Sequence, residues 1–123
     1  PKNYALRRRI AVYYLYAREY NRAAYHLTKA LEVQPGSLMV RFYRGLARFL
    51  GGYREAGESE MRESYGRMSA STQAAAMRNV GRVVPGLGAR QAVLRSLEVD
   101  PGAEAPVVRS ARLLRSYARK ETA

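Results

Sequence analysis

The chain has no cysteine, no tryptophan and one histidine, and among its 22 basic residues only Lys2, Lys29 and Lys120 are lysine. Without cysteine there is no disulfide scaffold, no thiol nucleophile and no thiolate-bound zinc. One histidine supplies neither a histidine metal cage nor a relay of histidines. On a helix, the neighbours of His26 one turn away are Arg22, Ala23, Lys29 and Ala30. No carboxylate there orients the ring for proton transfer, so His26 reads as a surface or edge residue. Long apolar runs are missing too. The longest is Ile10 to Ala17, far short of the roughly 20 residues that a membrane-spanning helix needs. No signal-peptide pattern opens the chain. Gly81, Gly86 and Gly88 are not followed by Gly-Lys-Ser/Thr, which excludes a phosphate loop. These absences predict a non-enzymatic protein with no cofactor, no metal and no small-molecule substrate. They predict a soluble or peripheral chain without a transmembrane segment, and leave an organellar (mitochondrial) or cytoplasmic location open.

Acidic residues are scarce as well: 10 against 22 basic ones, a net charge of +12 over 123 residues. A chain of that length forms one domain with a single modest core. The charge resides almost wholly in arginine, whose planar fork pairs with carboxylates and phosphates and tolerates interfaces better than lysine. Acidic partners are expected: an acidic protein surface, RNA, or an anionic membrane surface.

An internal repeat organises the chain. Leu31-Glu32-Val33-Gln34-Pro35-Gly36 recurs as Leu97-Glu98-Val99-Asp100-Pro101-Gly102. Tyr20-x-x-Ala23 recurs as Tyr53-x-x-Ala56, at half that offset. A period near 33 or 34 is that of stacked helical hairpins, each burying its apolar face on the next. Apolar periodicity and breakers predict seven helices and no sheet. The first runs from about 4 to 17, capped by Asn3, and the second from about 20 to 33, stopped by Pro35-Gly36. The third, from about 38 to 50, is capped by Ser37 and ends at Gly51-Gly52, and the fourth runs from about 53 to 68. Ser71 or Thr72 opens the fifth, which ends before Pro85-Gly86; the sixth covers about 88 to 99 and the seventh about 104 to 120.

The first hairpin resembles a tetratricopeptide repeat, a helix-turn-helix of about 34 residues with small and large apolar residues at set positions. Ile10, Ala11, Tyr14, Tyr20, Ala23, Leu27, Ala30 and Pro35 fall on those positions. The third hairpin matches through Ala76, Val80, Ala89, Val93 and Pro101, with Met77 and Ser96 departing from the pattern. The middle one keeps Tyr53 and Ala56, but Glu60 and Glu63 stand where apolar or small residues belong. The resemblance implies a right-handed all-α solenoid forming one domain. Its hairpins cover about 4–36, 37–69 and 70–102, with a capping helix over about 104–120. It also implies that Ala11 and Ala23 mark the close crossing of the first pair, and that most tyrosines fill the core with their hydroxyls at the edge.

In that family the first helix of each hairpin lines a concave groove. The groove residues carried over are Arg8, Val12, Leu15 and Tyr16, then Leu38, Arg41, Arg48 and Phe49, then Ser71, Ala74, Arg78 and Arg82. The set contains five arginines and no acid, so an extended acidic segment is the expected guest. Chaperone-binding members grip a carboxylate with Lys and Asn. The corresponding residues are Arg8, Val12, Phe42, Ser71 and Ala75, of which only Arg8 has suitable chemistry, and this argues against that subclass. The last predicted helix has an apolar stripe of Val107, Ala111, Leu114 and Ala118, opposite a basic face of Arg109, Arg112, Arg115 and Arg119. The expected function is a scaffold subunit of a larger assembly that binds a protein partner through the groove and the basic ends. The alternatives are a ribonucleoprotein or organellar ribosome subunit contacting RNA phosphates, and a peripheral subunit of a membrane complex.

Overall fold

A computed structural model describes residues 3–98. Over that span the chain forms six helices and no strand: α1 (Tyr4–Tyr16), α2 (Tyr20–Val33), α3 (Leu38–Leu50), α4 (Arg54–Gly66), α5 (Ala70–Val83) and α6 (Leu87–Glu98). The end of the third predicted hairpin and the capping helix lie outside the described residues.

Breakers and caps set the boundaries. The Ser37 hydroxyl accepts the Val40 amide and starts α3 as expected. At α5 the cap is Ser69, which accepts the Thr72 amide, rather than Ser71 or Thr72. Asn3 precedes α1 but makes no side-chain cap. The first two hairpin turns are built alike. After α3, the amides of Gly52 and Tyr53 return to the carbonyls of Phe49 and Arg48, with Gly52 at φ +106°. After α1, the amides of Arg18 and Glu19 return to Leu15 and Tyr14, with Arg18 at φ +61°. This double closure requires a left-handed residue, which glycine adopts freely and arginine at a cost.

The helices pack as antiparallel neighbours, α1 on α2, α2 on α3 and α3 on α4, giving a solenoid-like stack of helical hairpins. Its core is lined by Ala11, Leu15, Ala23 and Leu27 from the first pair and Phe42, Leu46 and Met61 from the second, all fully buried. The closest approach lies between α3 and α4. A Cβ added to Gly45 would stand 2.8 Å from both the Gly57 carbonyl oxygen and the Met61 amide, and one added to Gly57 would stand 2.5 Å from the Gly45 carbonyl oxygen.

This crossing corrects the expected register of the second hairpin. α1 and α2 open at Tyr4 and Tyr20, α3 and α4 at Leu38 and Arg54, so one common shift carries the first pair onto the second. On that shift Gly45 and Gly57 correspond to Ala11 and Ala23, while Met61 and Ser64, both fully buried, correspond to Leu27 and Ala30. The match of Tyr53 and Ala56 to Tyr20 and Ala23 falls one position short of it, and both residues are exposed. A single step along the chain turns a helix by about 100°, so that misalignment moves every side chain to another face. Glu60 and Glu63 lie one step off the buried positions. The repeats are unequal: α5 opens at Ala70 and α6 at Leu87, a shorter shift from α3 and α4 than separates these from α1 and α2.

The third pair departs further. α5 and α6 lack the close lengthwise approach of the other two pairs; α5 rests on α1 and α3, and α6 rests on α4. Met77 holds the place in α5 that Ala11 holds in α1, and a side chain of that length at a crossing position keeps two helices apart. Polar bonds fasten the pair instead. Arg62 Nε donates to the Ser96 carbonyl at 2.6 Å, and the Ser96 hydroxyl donates to Glu58 at 2.6 Å. Gln73 donates to the Tyr65 carbonyl at 2.9 Å.

Candidate functional site

The placement of α5 divides the expected groove residues into two groups. Leu15 is fully buried and Phe49 only 4% exposed, so both belong to the core rather than to an open wall. Phe49 carries the Arg54 guanidinium 4.4 Å above its ring. Arg48 faces α4, where its Nη1 lies 3.1 Å from Glu60. Arg44 binds the same carboxylate at 2.6 Å and also donates to the Thr28 hydroxyl. Glu60 is thus held between two arginines, its side chain 13% exposed. Arg41 turns back to donate through Nε and Nη2 to the Pro35 carbonyl, at 2.9 and 2.8 Å, closing the α2–α3 connection. Leu38 is half-buried. Of the expected second-hairpin arginines, one is neutralised and the other braces a turn.

The first and fifth helices keep their expected residues at the surface. Arg8 is exposed and Val12 half-buried on α1, and Ser71, Ala74, Arg78 and Arg82 are exposed on α5. The two helices meet over the Tyr43 hydroxyl. Asn79 donates to it through Nδ2, and the Arg8 guanidinium approaches it from α1. Burial raises the Tyr43 pKa, while the positive charges of Arg8 and Arg82 pull it back. Both guanidiniums therefore stand close to one buried phenol that is 4% exposed. Beside Arg8 an open depression of about 340 Å³ is lined by Tyr4, Ala5, Arg8, Arg9 and Val12.

Among the described residues, Arg8, Arg9, Arg78 and Arg82 have no carboxylate within ion-pair distance, a condition they share with Arg7, Arg18, Arg41, Arg54, Arg67, Arg90 and Arg95, whereas Arg22, Lys29, Arg44, Arg48 and Arg62 are paired. The acids have gone to α4 and to the helix ends. Tyr16, the remaining groove candidate, is 55% exposed. Arg109, Arg112, Arg115 and Arg119 lie outside the described residues.

Tyr43 and Asn79 are not marked by the sequence because their contact joins residues 36 apart, in consecutive hairpins. Nothing in the local pattern marks either one. His26 is similar: its partner is Arg7 on α1, which donates to Nδ1 at 3.0 Å. The ring stacks on Tyr14 with centroids 5.5 Å apart. Burial first, and the Arg7 charge second, lower its pKa. Among the described residues no group of three or more His, Asp or Glu side chains gathers to hold a metal. No helix there is long and apolar enough to cross a membrane. No protein-family model, curated protein or solved structure matches this chain.

Proposed function

We propose that this protein is a non-catalytic interaction subunit, and that the arginine surface of α1 and α5 receives an acidic, extended segment of a partner protein. One observation carries the reading. Arg8, Arg9, Arg78 and Arg82, contributed by two helices that meet at Tyr43, share a surface without any ion-paired carboxylate among the described residues. Like charges held together repel, and a partner's carboxylates relieve that repulsion through charge-assisted bonds. The adjoining depression, walled by Tyr4, Ala5 and Val12, offers apolar contact to a side chain next to the acid. The aliphatic Ala5 and Val12 suit a branched side chain better than a flat base, which favours protein over RNA. The resemblance of the first hairpin to tetratricopeptide repeats supports the same role, since arrays of that kind bind extended segments.

The test is a titration of the full chain with a labelled extended Glu/Leu peptide and with a single-stranded RNA of equal charge, at about 0.1 M and 0.5 M salt. The peptide is expected to bind more tightly. Arg8→Glu with Arg82→Glu should weaken it at least tenfold, about 1.4 kcal/mol, while Arg41→Glu leaves it unchanged. Tighter binding of RNA at both salt concentrations, or indifference to the double reversal, defeats the proposal.

A further inference from the structure

The outward side of α1 remains unexplained by the fold or by the arginine surface. Ala11 and Leu15 are buried, and Tyr14, Tyr4 and Arg7 lie partly buried against α2 and the start of α3. Arg8 turns toward Tyr43 and α5. The remaining arc of the helix carries Ala5, Leu6, Arg9, Tyr13, Tyr16 and Ala17, all exposed. Leu6 is 51% exposed, Tyr13 67% and Tyr16 55%. Helices at the edge of a stack ordinarily turn polar residues outward. α4 obeys this, with Glu55, Ser59 and Glu63 exposed. The outward arc of α1 has Arg9 as its single charge.

Length and charge identify what fits there. Leu6 to Tyr16 spans about 15 Å at 1.5 Å per residue, close to three helical turns. From residue 4 to residue 18 the chain contains Arg7, Arg8, Arg9 and Arg18 and no acid. A second copy would set Arg9 against Arg9. The stretch 104–120 of this chain is itself strongly basic, with Arg109, Arg112, Arg115, Arg119 and Lys120 against Glu104 alone. Neither is complementary.

We propose that the outward face of α1 docks an acidic amphipathic helix of a partner protein, whose apolar side covers Leu6, Tyr13 and Tyr16 and whose carboxylates meet Arg9. Contiguous exposed apolar side chains on one helix face mark interaction surfaces, and helix-on-helix docking reads anchors spaced by helical turns. Arg9 adjoins both surfaces, but the apolar anchors Leu6, Tyr13 and Tyr16 are separate from Arg8, Arg78 and Arg82, so substitutions at the anchors and at Arg82 tell the two readings apart.

The experiment uses the full chain and two labelled helix-forming peptides, one with leucine on one face and glutamate on the other, the second with lysine replacing glutamate. Fluorescence anisotropy is expected to show binding of the Leu/Glu helix and none of the Leu/Lys helix. Leu6→Ser with Tyr13→Ser, both at exposed positions, should weaken the complex at least tenfold with the helical circular dichroism unchanged. Arg82→Glu should leave it intact, which separates this site from the extended-peptide surface. Equal binding of both peptides, or indifference to the double serine variant, overturns the proposal. So does a dimer of the free protein that the serine variant dissociates, because the occupant would then be a second copy.

Discussion

Replacing Gly57 by alanine isolates the contact on which the second hairpin depends. In an exposed helix interior this change stabilises by about 0.5–1 kcal/mol, because alanine loses less backbone entropy on folding. At Gly57 the added methyl meets the backbone of Phe49 and stands 2.5 Å from the Gly45 carbonyl oxygen. Neither neighbour is the flexible end of a side chain, so α3 and α4 must separate. Overpacking of this kind costs about 3 kcal/mol or slightly more. Less the propensity gain, the net loss is about 2 kcal/mol, or a Tm roughly 8 °C lower at about 4 °C per kcal/mol. Gly81 is the matched control: it lies in α5 with nothing within 4 Å of an added Cβ. Gly81→Ala should raise Tm by a few degrees. Thermal unfolding followed by circular dichroism compares the two directly. A Gly57→Ala protein as stable as Gly81→Ala would show that the close crossing of α3 and α4 is not how this chain packs.

Glu60→Gln leaves Arg44 and Arg48 without their shared carboxylate. With Arg44 only 19% exposed but Arg48 at 35%, the loss in urea unfolding should fall at the lower end of the about 3–5 kcal/mol seen for broken buried pairs. Arg18→Gly, at φ +61°, should stabilise by about 1 kcal/mol by removing the left-handed strain, read as a higher urea midpoint at unchanged m-value. Ser69→Ala removes the α5 cap and should cost about 1 kcal/mol, visible in hydrogen exchange as faster opening of the first turn of α5. His26 has its pKa lowered in the folded state, so below pH about 6.5 the unfolded chain binds the extra proton. Stability is then full above that pH and declines as pH falls toward the folded pKa; His26→Asn should flatten that part of the profile.

Local signals place most boundaries that depend on neighbours in the chain, the caps of α1 and α5 being the exceptions. Pro35-Gly36, Gly51-Gly52 and Pro85-Gly86 ended helices where expected, and Ser37 capped α3. The small residues Ala11 and Ala23, and the burial of Leu27 and Ala30, were also legible in the first hairpin. On the candidate site, Arg8, Arg78 and Arg82 are exposed, as a binding surface requires. Leu15 and Phe49 are not: the pattern marks them as apolar on a predicted wall without showing what lies across from them.

What remained hidden depends on contacts distant in sequence. Whether Ala56 or Gly57 faces α3 turns on a single step of register, worth about 100° of helix rotation, and only the fit of Gly57 against Gly45 decides it. Glu60 reads as a misplaced charge until Arg44 and Arg48 close on it from the neighbouring helix. The position of α5 follows from Asn79 reaching Tyr43 across two hairpins, and no periodicity encodes that pairing. Periodicity and chain breakers are local properties, sufficient for a stack of helices with a basic surface. Which arginines are neutralised and which keep an open charge is settled by side chains meeting across helices, and there the packing had the final word.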